Sequence, residues 1–243
     1  MIFNASDFVF NPPAQLSWAR RVLIKPCSGY AMPYPMTTSP EILKTIIKGI
    51  RKVSDADIII ADGTYSGESI HPIYKTLGYD FRHVLTLDIR DSLFLEIENP
   101  LVQFLAESTF WIPNLVIRSD FLISVTPFKV HNGNGCFSIA NLLNLLQVTK
   151  YKRGANSGWD GLKELGIDRV LADLYFTLPF DLGIIEARQK YYYTNDNTEA
   201  KVEECGKILV GEPFEVDKEA SALAGLDTEY LRLIEESKSQ LES

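Results

Sequence analysis

The sequence predicts an α/β fold with a mostly parallel or mixed central sheet that is flanked by helices. Three short apolar runs, at 22–24, 58–60 and 121–125, have the length and composition of buried strands. An amphipathic helical pattern at 38–53 separates the first two runs, so strand, helix and strand form a right-handed βαβ unit. Chains of this size often form one α/β unit, and we therefore expect a single domain over residues 1–243.

The ends of the first βαβ unit can be read from its residues. Lys25 closes the first predicted strand, and a loop with glycine and proline leads to the helix. With Thr38 as N-cap, Glu41 stands at N3 as in a capping box; with Ser39 as N-cap, Pro40 stands at N1. Either choice starts the helix at this point.

The remaining elements follow from short apolar runs and turn residues. Gly78 is placed to cap a helix at 71–77. A basic, glycine-rich corner at 129–135 is expected to lead into a largely buried helix at 137–146. We expect strands at 8–10, 84–87, 93–97, 111–117, 170–174 and 207–210, helices at 160–165 and 216–223, a loop at 150–157, an exposed polar segment at 191–199 and a charged surface helix within 228–243.

Composition narrows the classes of partner. The formal net charge of −8, from 24 basic and 32 acidic residues, argues against nucleic acid or an anionic membrane as the main partner. Three cysteines without a CxxC motif argue against a disulfide framework, a zinc knuckle or an iron–sulfur site, and fit a reducing, cytoplasmic setting. We expect no signal peptide and no membrane span. Cofactors and oligomeric state stay open.

The stretch 124–146 is the strongest candidate for a functional site. A strand that ends in a basic, glycine-rich corner before a helix is where open α/β sheets place their ligands. Lys129 and His131 are two residues apart, so they face the same side of an extended chain. Together they could bind a carboxylate or phosphate, with His131 as acid or base. A structural histidine that holds the following turn is the alternative.

Several segments occur in an order that resembles the domain-of-unknown-function 362 family. The resemblance implies an α/β fold and a pocket, without an established general reaction. It includes the family's first-strand lysine (Lys25), its Lys-x-His (Lys129 and His131) and a late aspartate (Asp217). The matching segments are VLIKP (22–26), TTSPEIL (37–43), IIIADGT (58–64), ISVTPFKVH (123–131), the helix with Asn141, and GKILVGEPFEVDKEASALAGLD (206–227), within residues 20–230.

The chain also departs from the family pattern. Cys27 stands where the family has asparagine after Lys-Pro, and Ala140 replaces the lysine of a Lys-Asn pair that Asn141 half matches. A later Gly-Asn-Gly-Pro segment is not evident, although Asp173 matches the aspartate before it. Many members carry a ferredoxin-like cysteine segment, which this short member lacks. These departures leave open whether the chain keeps an ancestral chemistry.

A second group of candidate residues surrounds the first two strand ends. Lys25 beside the helix start at Thr38 and Ser39 favours an anion; a salt bridge at the sheet edge is the alternative. Asp62 and Gly63 could contact a ribose or a metal, or could only cap a turn.

Two further sites have weaker support. His131 with Asp62 and Asp88 has the donor types of a divalent metal site. No local ligand motif supports that grouping, and we predict no metal. Cys136 near a helix start, with His131 close in sequence, could form a nucleophilic pair, against the alternative of an inert buried thiol. For Cys27, too, the alternative is an inert buried thiol.

The leading functional hypothesis is an enzyme that acts on a small anionic substrate, either a carboxylate or a phosphate. The pocket is expected where the strands ending at Lys25, Asp62 and Val125 meet. Lys25 and Lys129 would bind the anion, Asp62 would orient a partner or bind a metal, and His131 would serve as acid or base. The alternatives are a ligand-binding or regulatory protein without turnover, and a redox accessory protein, which only ferredoxin-fused relatives suggest.

Overall fold

A mixed, mostly parallel sheet forms the centre of the protein. The computed structural model describes residues 1–151, 160–178, 180–194 and 200–241. Its strands are β1 (Ile2–Asn4), β2 (Arg21–Pro26), β3 (Asp57–Asp62), β4 (Val84–Asp88), β5 (Phe94–Glu98), β6 (Thr109–Pro113), β7 (Phe121–His131), β8 (Asn134–Gly135), β9 (Leu182–Tyr193) and β10 (Lys201–Gly211). Its α-helices are α1 (Pro40–Ile50), α2 (His71–Leu77), α3 (Asn114–Ile117), α4 (Val148–Tyr151), α5 (Asp160–Glu164), α6 (Ile167–Thr177), α7 (Pro213–Ala224) and α8 (Glu229–Lys238).

The strand order is β1-β10-β9-β7-β2-β3-β4, with β8 paired to β7 as a hairpin. The five strands from β9 to β4 run parallel, whereas β10 and β1 are antiparallel to their neighbours. Strands β5 and β6 form a separate antiparallel pair. The predicted fold class, an α/β domain with a mostly parallel or mixed sheet, is confirmed.

Side chains of the central strands alternate between two hydrophobic layers. On β2, Val22 and Ile24 pack in the cluster that includes Ile42 and Ile46 of α1. Leu23 points to the other face, into a cluster with residues of β6, α5 and α6. Each fully buried aliphatic side chain contributes about 1.5–3 kcal/mol relative to exposure, so both faces of the sheet must be covered. The helices on either side follow from this requirement.

Three predicted strands have a different structure. The segment 8–10 is irregular, and the first strand is β1 instead. Residues 111–117 divide into the end of β6 and α3 after Pro113, whose ring has no N–H to continue a strand. The run 170–174 lies in α6, not in a strand. An apolar run alone does not distinguish a strand from a buried helix, and α6 packs in two clusters.

The largest difference lies in the predicted central corner. Strand β7 does not end near Val125 but continues to His131, because β9 pairs with it as far as Tyr193. The predicted helix 137–146 is a short 3₁₀ helix, Ala140–Leu145. Residues 191–193 belong to β9, and 195–199 lie outside the described residues, as do 152–159 and Pro179. The predicted loop 150–157 therefore begins within α4 and is otherwise not described.

The C-terminal helix is α8, which is shorter than the predicted 228–243. Its charged residues face solvent, whereas Tyr230, Leu231 and Ile234 are buried in a cluster with α6. None of the helices in the described ranges is both long and apolar enough to cross a membrane.

Candidate functional site

A cavity of about 230 Å³ opens at the edge of the sheet where β2 ends and β7 continues. The chain immediately after β2, the second half of β7, the end of β9 and the helical segments after β8 form its walls. Its lining includes the polar or titratable side chains of Cys27, Tyr30, Tyr65, Thr126, Lys129, His131, Cys136, Asn141, Asn144, Lys163 and Tyr193.

Extension of β7 brings together the two residues proposed as catalytic. Lys129 pairs with Tyr191 and His131 pairs with Tyr193 in the parallel register with β9. Both residues line the cavity, as their two-residue spacing on an extended chain predicts. The His131 ring stacks on the Tyr193 ring, with centroids 4.4 Å apart and an angle of 15° between the planes. The tyrosine thus holds the imidazole against one wall.

Lys129 is only 5% exposed, so its ammonium is largely removed from solvent. The Nζ donates a hydrogen bond to Cys27 Sγ at 3.0 Å, and no other hydrogen bond of this ammonium is formed with residues that the structure describes. Among the described residues no carboxylate lies within 4.0 Å of it. Burial lowers the pKa of Lys129, but charge on Cys27, Tyr193 and Cys136 raises it more, so the net pKa is above its ordinary value. The ammonium is therefore the charged form here.

A second cation stands on the wall formed by α5. Lys163 donates a hydrogen bond to the Tyr65 hydroxyl at 2.7 Å, which raises the pKa of this lysine. Tyr30 contributes a further hydroxyl, and its pKa is raised by burial although Lys129 acts to lower it. Burial also raises the pKa values of Cys136 and Tyr193. The walls thus carry the side chains of two lysines among tyrosine hydroxyls and cysteine thiols.

Lys25 lies behind this cavity and does not line it. It is fully buried, and its Nζ contacts Asp62 Oδ1 at 2.7 Å, Asn141 Oδ1 at 2.8 Å and the carbonyl oxygen of Pro26 at 2.9 Å. All three donors of the ammonium therefore have protein acceptors. The arrangement matches the alternative of an ion pair at the sheet edge, and the predicted contact of Lys25 with a ligand stays a prediction.

Asn141 joins the buried ion pair to the cavity. Its Nδ2 donates to the Lys25 carbonyl at 3.1 Å and to Ser124 Oγ at 3.0 Å, while its Oδ1 accepts from Lys25. The same residue lines the cavity. Asn141 is therefore fixed in one orientation, because exchanging its oxygen and nitrogen would place the amide donors against an ammonium.

Asp62 and Gly63 also contact other parts of the protein closely. The Asp62 carboxylate accepts from the Ser28 N–H and hydroxyl, both at 2.8 Å, and from the Gly63 N–H at 2.9 Å. A side chain at Gly63 would lie 2.8 Å from the Asn144 carbonyl oxygen, so close packing requires glycine here. Gly63 lines a second, more apolar cavity of about 220 Å³, whose walls include Thr64, Ile89 and Phe94.

The residues grouped as a possible metal site do not share one centre. Asp62 is bound by Lys25, and Asp88 contacts Arg90 at 2.9 Å and the Ile70 N–H at 3.1 Å. Within the described ranges, no three His, Cys, Asp or Glu side chains are placed to hold a metal ion.

Thr38 and Ser39 anchor the start of α1. Thr38 Oγ1 donates to the Val125 carbonyl at 2.8 Å and accepts from the Cys27 N–H at 2.9 Å. Ser39 is the N-cap, with its Oγ accepting from the Ile42 N–H at 3.1 Å and donating to Glu186 at 2.7 Å. The Ser39 choice with Pro40 at N1 is therefore the correct N-terminus of α1, and the Thr38 capping box is wrong.

We expect Ser39→Ala to lower the free energy of unfolding by about 1–2 kcal/mol, because it removes the cap of α1 and leaves Glu186 with fewer donors. Chemical denaturation measures this loss. Ser39 does not line the 230 Å³ cavity, so ligand affinity there should be unchanged. A stable Ser39→Ala variant with weakened binding would instead support the predicted ligand contact.

Two further family-matching aspartates have structural partners. Asp173 accepts from the N–H groups of Leu105, Ala106 and Glu107, at 2.7–3.1 Å. Asp217 accepts from the Ser138 N–H and hydroxyl at 2.8 and 2.6 Å. Both aspartates are fully buried. They position the segments that surround the sheet edge and do not line the cavity.

Sequence reasoning missed several cavity residues. Tyr30 and Lys163 come from a loop and from the short helix α5, where no local pattern indicates a site. Tyr193 lies in a segment expected to be exposed, although the aromatic and β-branched residues of YYYT are also typical of a strand. Cys27 offered one usable signal, since it replaces a family asparagine directly after the first strand.

Comparison with known proteins gives a fold likeness and a family. The structure is similar to that of the lactate racemase apoprotein from Thermoanaerobacterium thermosaccharolyticum, with a TM-score of 0.52 and 14% sequence identity. The match covers 90% of this chain but only 53% of that protein, so the chain spans about half its length. At this identity the likeness concerns the fold alone. No match was found among curated proteins.

The family resemblance noted from the sequence is confirmed. The model of the family described as "Domain of unknown function (DUF362)" matches residues 22–222, most of the chain from β2 to α7. The chain therefore belongs to the DUF362 family.

Proposed function

We propose that the protein is an enzyme that binds a small carboxylate in the 230 Å³ cavity and transfers a proton on it. The observation that carries the proposal is the ammonium of Lys129. It is almost fully buried, and within the described part of the chain its one hydrogen bond goes to a sulfur atom, a weak acceptor. A buried charge without a strong partner is costly, and a ligand carboxylate would supply that partner.

The size of the cavity supports a ligand of a few carbon atoms. Pockets for drug-sized ligands enclose ~300–1,000 Å³, whereas this one has about 230 Å³. Lys163 and the hydroxyls of Tyr30 and Tyr65 stand on another wall and could bind the polar end opposite the carboxylate. A small hydroxy or oxo acid combines these two features.

His131 is the residue we propose for proton transfer. It lines the same cavity as Lys129, two residues away on β7, and its ring plane is fixed by the stack on Tyr193. An imidazole can accept or donate a proton near neutral pH. A ligand held by Lys129 would lie within reach of this ring. The structural neighbour is named for a racemase of lactate, which guides the choice of probe.

The binding test uses isothermal titration with L-lactate, D-lactate, pyruvate and glyoxylate. We expect at least one acid to bind, and Lys129→Met to raise its Kd at least about tenfold, because a hydrogen bond to a charged group contributes about 1.5–3 kcal/mol. The neutral amide of the same acid should bind to the native protein as weakly as the acid binds to Lys129→Met. Lys44→Met, which removes an exposed lysine of α1, is the matched control and should leave Kd unchanged.

The catalytic test measures exchange of substrate hydrogen with D₂O by NMR. His131→Gln should leave Kd within about threefold while exchange falls at least about 100-fold, as loss of general acid–base catalysis implies. Binding that depends on Lys129 without any exchange would favour a ligand-binding protein over an enzyme. Failure of all four acids to bind would overturn the carboxylate proposal.

A further inference from the structure

Cys27 and Lys129 form a close pair within the cavity wall. The Sγ and Nζ atoms are 3.0 Å apart, and both residues are buried. The Cys27 backbone is fixed, because its N–H donates to the Val125 carbonyl and to Thr38 Oγ1, both at 2.9 Å. An ammonium so close stabilises the negative charge that sulfur carries after losing its proton. The thiol therefore has a fixed position and a partner for its reactive form.

This geometry selects one carbon atom of a bound acid. A carboxylate that accepts from Lys129 Nζ lies about 2.7–2.9 Å from it, and Sγ is 3.0 Å from the same nitrogen. The carbon next to the carboxylate is then the first non-carboxylate atom that Sγ can approach. An electrophilic centre at that position would meet the sulfur.

We propose that Cys27 is a covalent nucleophile for small acids that are electrophilic at the carbon next to the carboxylate, of which 2-oxo acids are the substrate class. The inference deepens the proposed function and rests on it for the carboxylate contact at Lys129. Sulfur adds to C2 of the 2-oxo acid, forming an S–C bond as the C=O π pair moves to oxygen. That oxygen takes up the proton that sulfur has lost. No oxidant or reductant is needed, and the addition reverses.

The other cysteines provide internal references. Cys136 lines the same cavity, but burial raises the pKa of its thiol and no hydrogen bond from Lys129 reaches it. Cys205 lies on β10, where it packs against a hydrophobic cluster, and it does not line the cavity. Selective chemistry at Cys27 can therefore be measured against two thiols in the same molecule.

The test compares iodoacetate with iodoacetamide, which have the same reacting carbon but differ in charge. In each case an S–C bond forms, iodide leaves with the C–I electron pair, and the thiol proton goes to buffer. Peptide mass spectrometry of the native protein gives a rate at each cysteine. We expect the iodoacetate-to-iodoacetamide rate ratio at Cys27 to exceed that at Cys205 at least about tenfold, because Lys129 attracts the carboxylate.

Two further measurements separate the inference from the proposed function. Lys129→Met should lower the iodoacetate-to-iodoacetamide rate ratio at Cys27 to the ratio at Cys205. Glyoxylate should slow labelling of Cys27 but not of Cys205. As a control, Cys205→Ser should leave the rate ratio at Cys27 unchanged. If glyoxylate binds in titrations but Cys27 reacts with both reagents no faster than Cys205, the nucleophile inference is overturned while the binding function stands. If Cys27 reacts rapidly with iodoacetamide but shows no preference for iodoacetate, the carboxylate site fails and the inference as stated fails with it.

Discussion

Replacing Lys25 with Met is expected to lower the free energy of unfolding by about 3–5 kcal/mol, because it leaves the Asp62 carboxylate buried without its cation. Asp62 is fully buried and lies 2.7 Å from Lys25 Nζ. The same change also removes the donor to Asn141 Oδ1. Urea denaturation with two independent probes, such as circular dichroism and tryptophan fluorescence, measures the loss.

Lys129→Met is the matched control for Lys25→Met. Both lysines are buried in neighbouring parallel strands, and Met has a similar length and no charge. No carboxylate of the described residues is orphaned by the loss of Lys129, so stability should stay within about 1 kcal/mol of the native value or rise. This contrast separates a structural lysine from one kept for a ligand. Equal losses in the two variants would contradict the assignment of Lys129 to ligand binding.

Sequence patterns predicted the βαβ unit well because its local signals agree. The apolar runs of β2 and β3 and the Ser-Pro start of α1 all point to the same elements, and the Gly78 cap marks the end of α2, the helix after this unit. Gly78 indeed has a positive φ of 73°, which a glycine C-cap allows. In this part of the chain tertiary packing only reinforced what the local sequence already specified.

The second half of β7 could not be predicted, because its structure depends on a distant partner. Lys129 and His131 are basic and lie next to a glycine-rich turn, so the local pattern indicates a corner. Pairing with Lys190–Tyr193 of β9, some sixty residues later, keeps them extended. The two-residue spacing of Lys129 and His131 still predicted that their side chains lie on the same face of the strand. The positions of Tyr193 and Lys163 in the cavity depend on long-range contacts, which the local sequence does not indicate.

Asp217 illustrates how a family position can be structural. It lies in α7 and is fully buried, and besides Ser138 it accepts from the Ile139 N–H at 3.0 Å and the Tyr230 hydroxyl at 2.8 Å. The carboxylate therefore ties α8 and α7 to the segment between β8 and the 3₁₀ helix that carries Asn141. Sequence alone left this residue as a family match near a helix start, because its donors lie about eighty residues upstream and on the next helix.

We expect Asp217→Ala to lower the free energy of unfolding by about 3–5 kcal/mol, because several buried donors lose their acceptor at once and each orphaned group costs about 1–3 kcal/mol. Tyr230→Phe removes only one of these donors and should cost about 1 kcal/mol. Urea denaturation at pH 7 compares the two variants. A loss in Asp217→Ala no greater than that in Tyr230→Phe would show that the backbone donors find other acceptors.

The same carboxyl should give the native protein a measurable pH dependence. Burial raises the pKa of Asp217 to about 6 from an ordinary value of 3.8, although its hydrogen bonds act to lower it. The folded state therefore binds a proton more tightly than the unfolded state, and the stability from that proton is complete below pH 3.8 and is lost as pH rises through about 6. Asp217→Asn cannot titrate, so the native protein minus Asp217→Asn difference in unfolding free energy should fall between pH 4 and pH 6.5. A difference that instead rises over this range would mean that the hydrogen bonds outweigh burial and hold the carboxylate ionised.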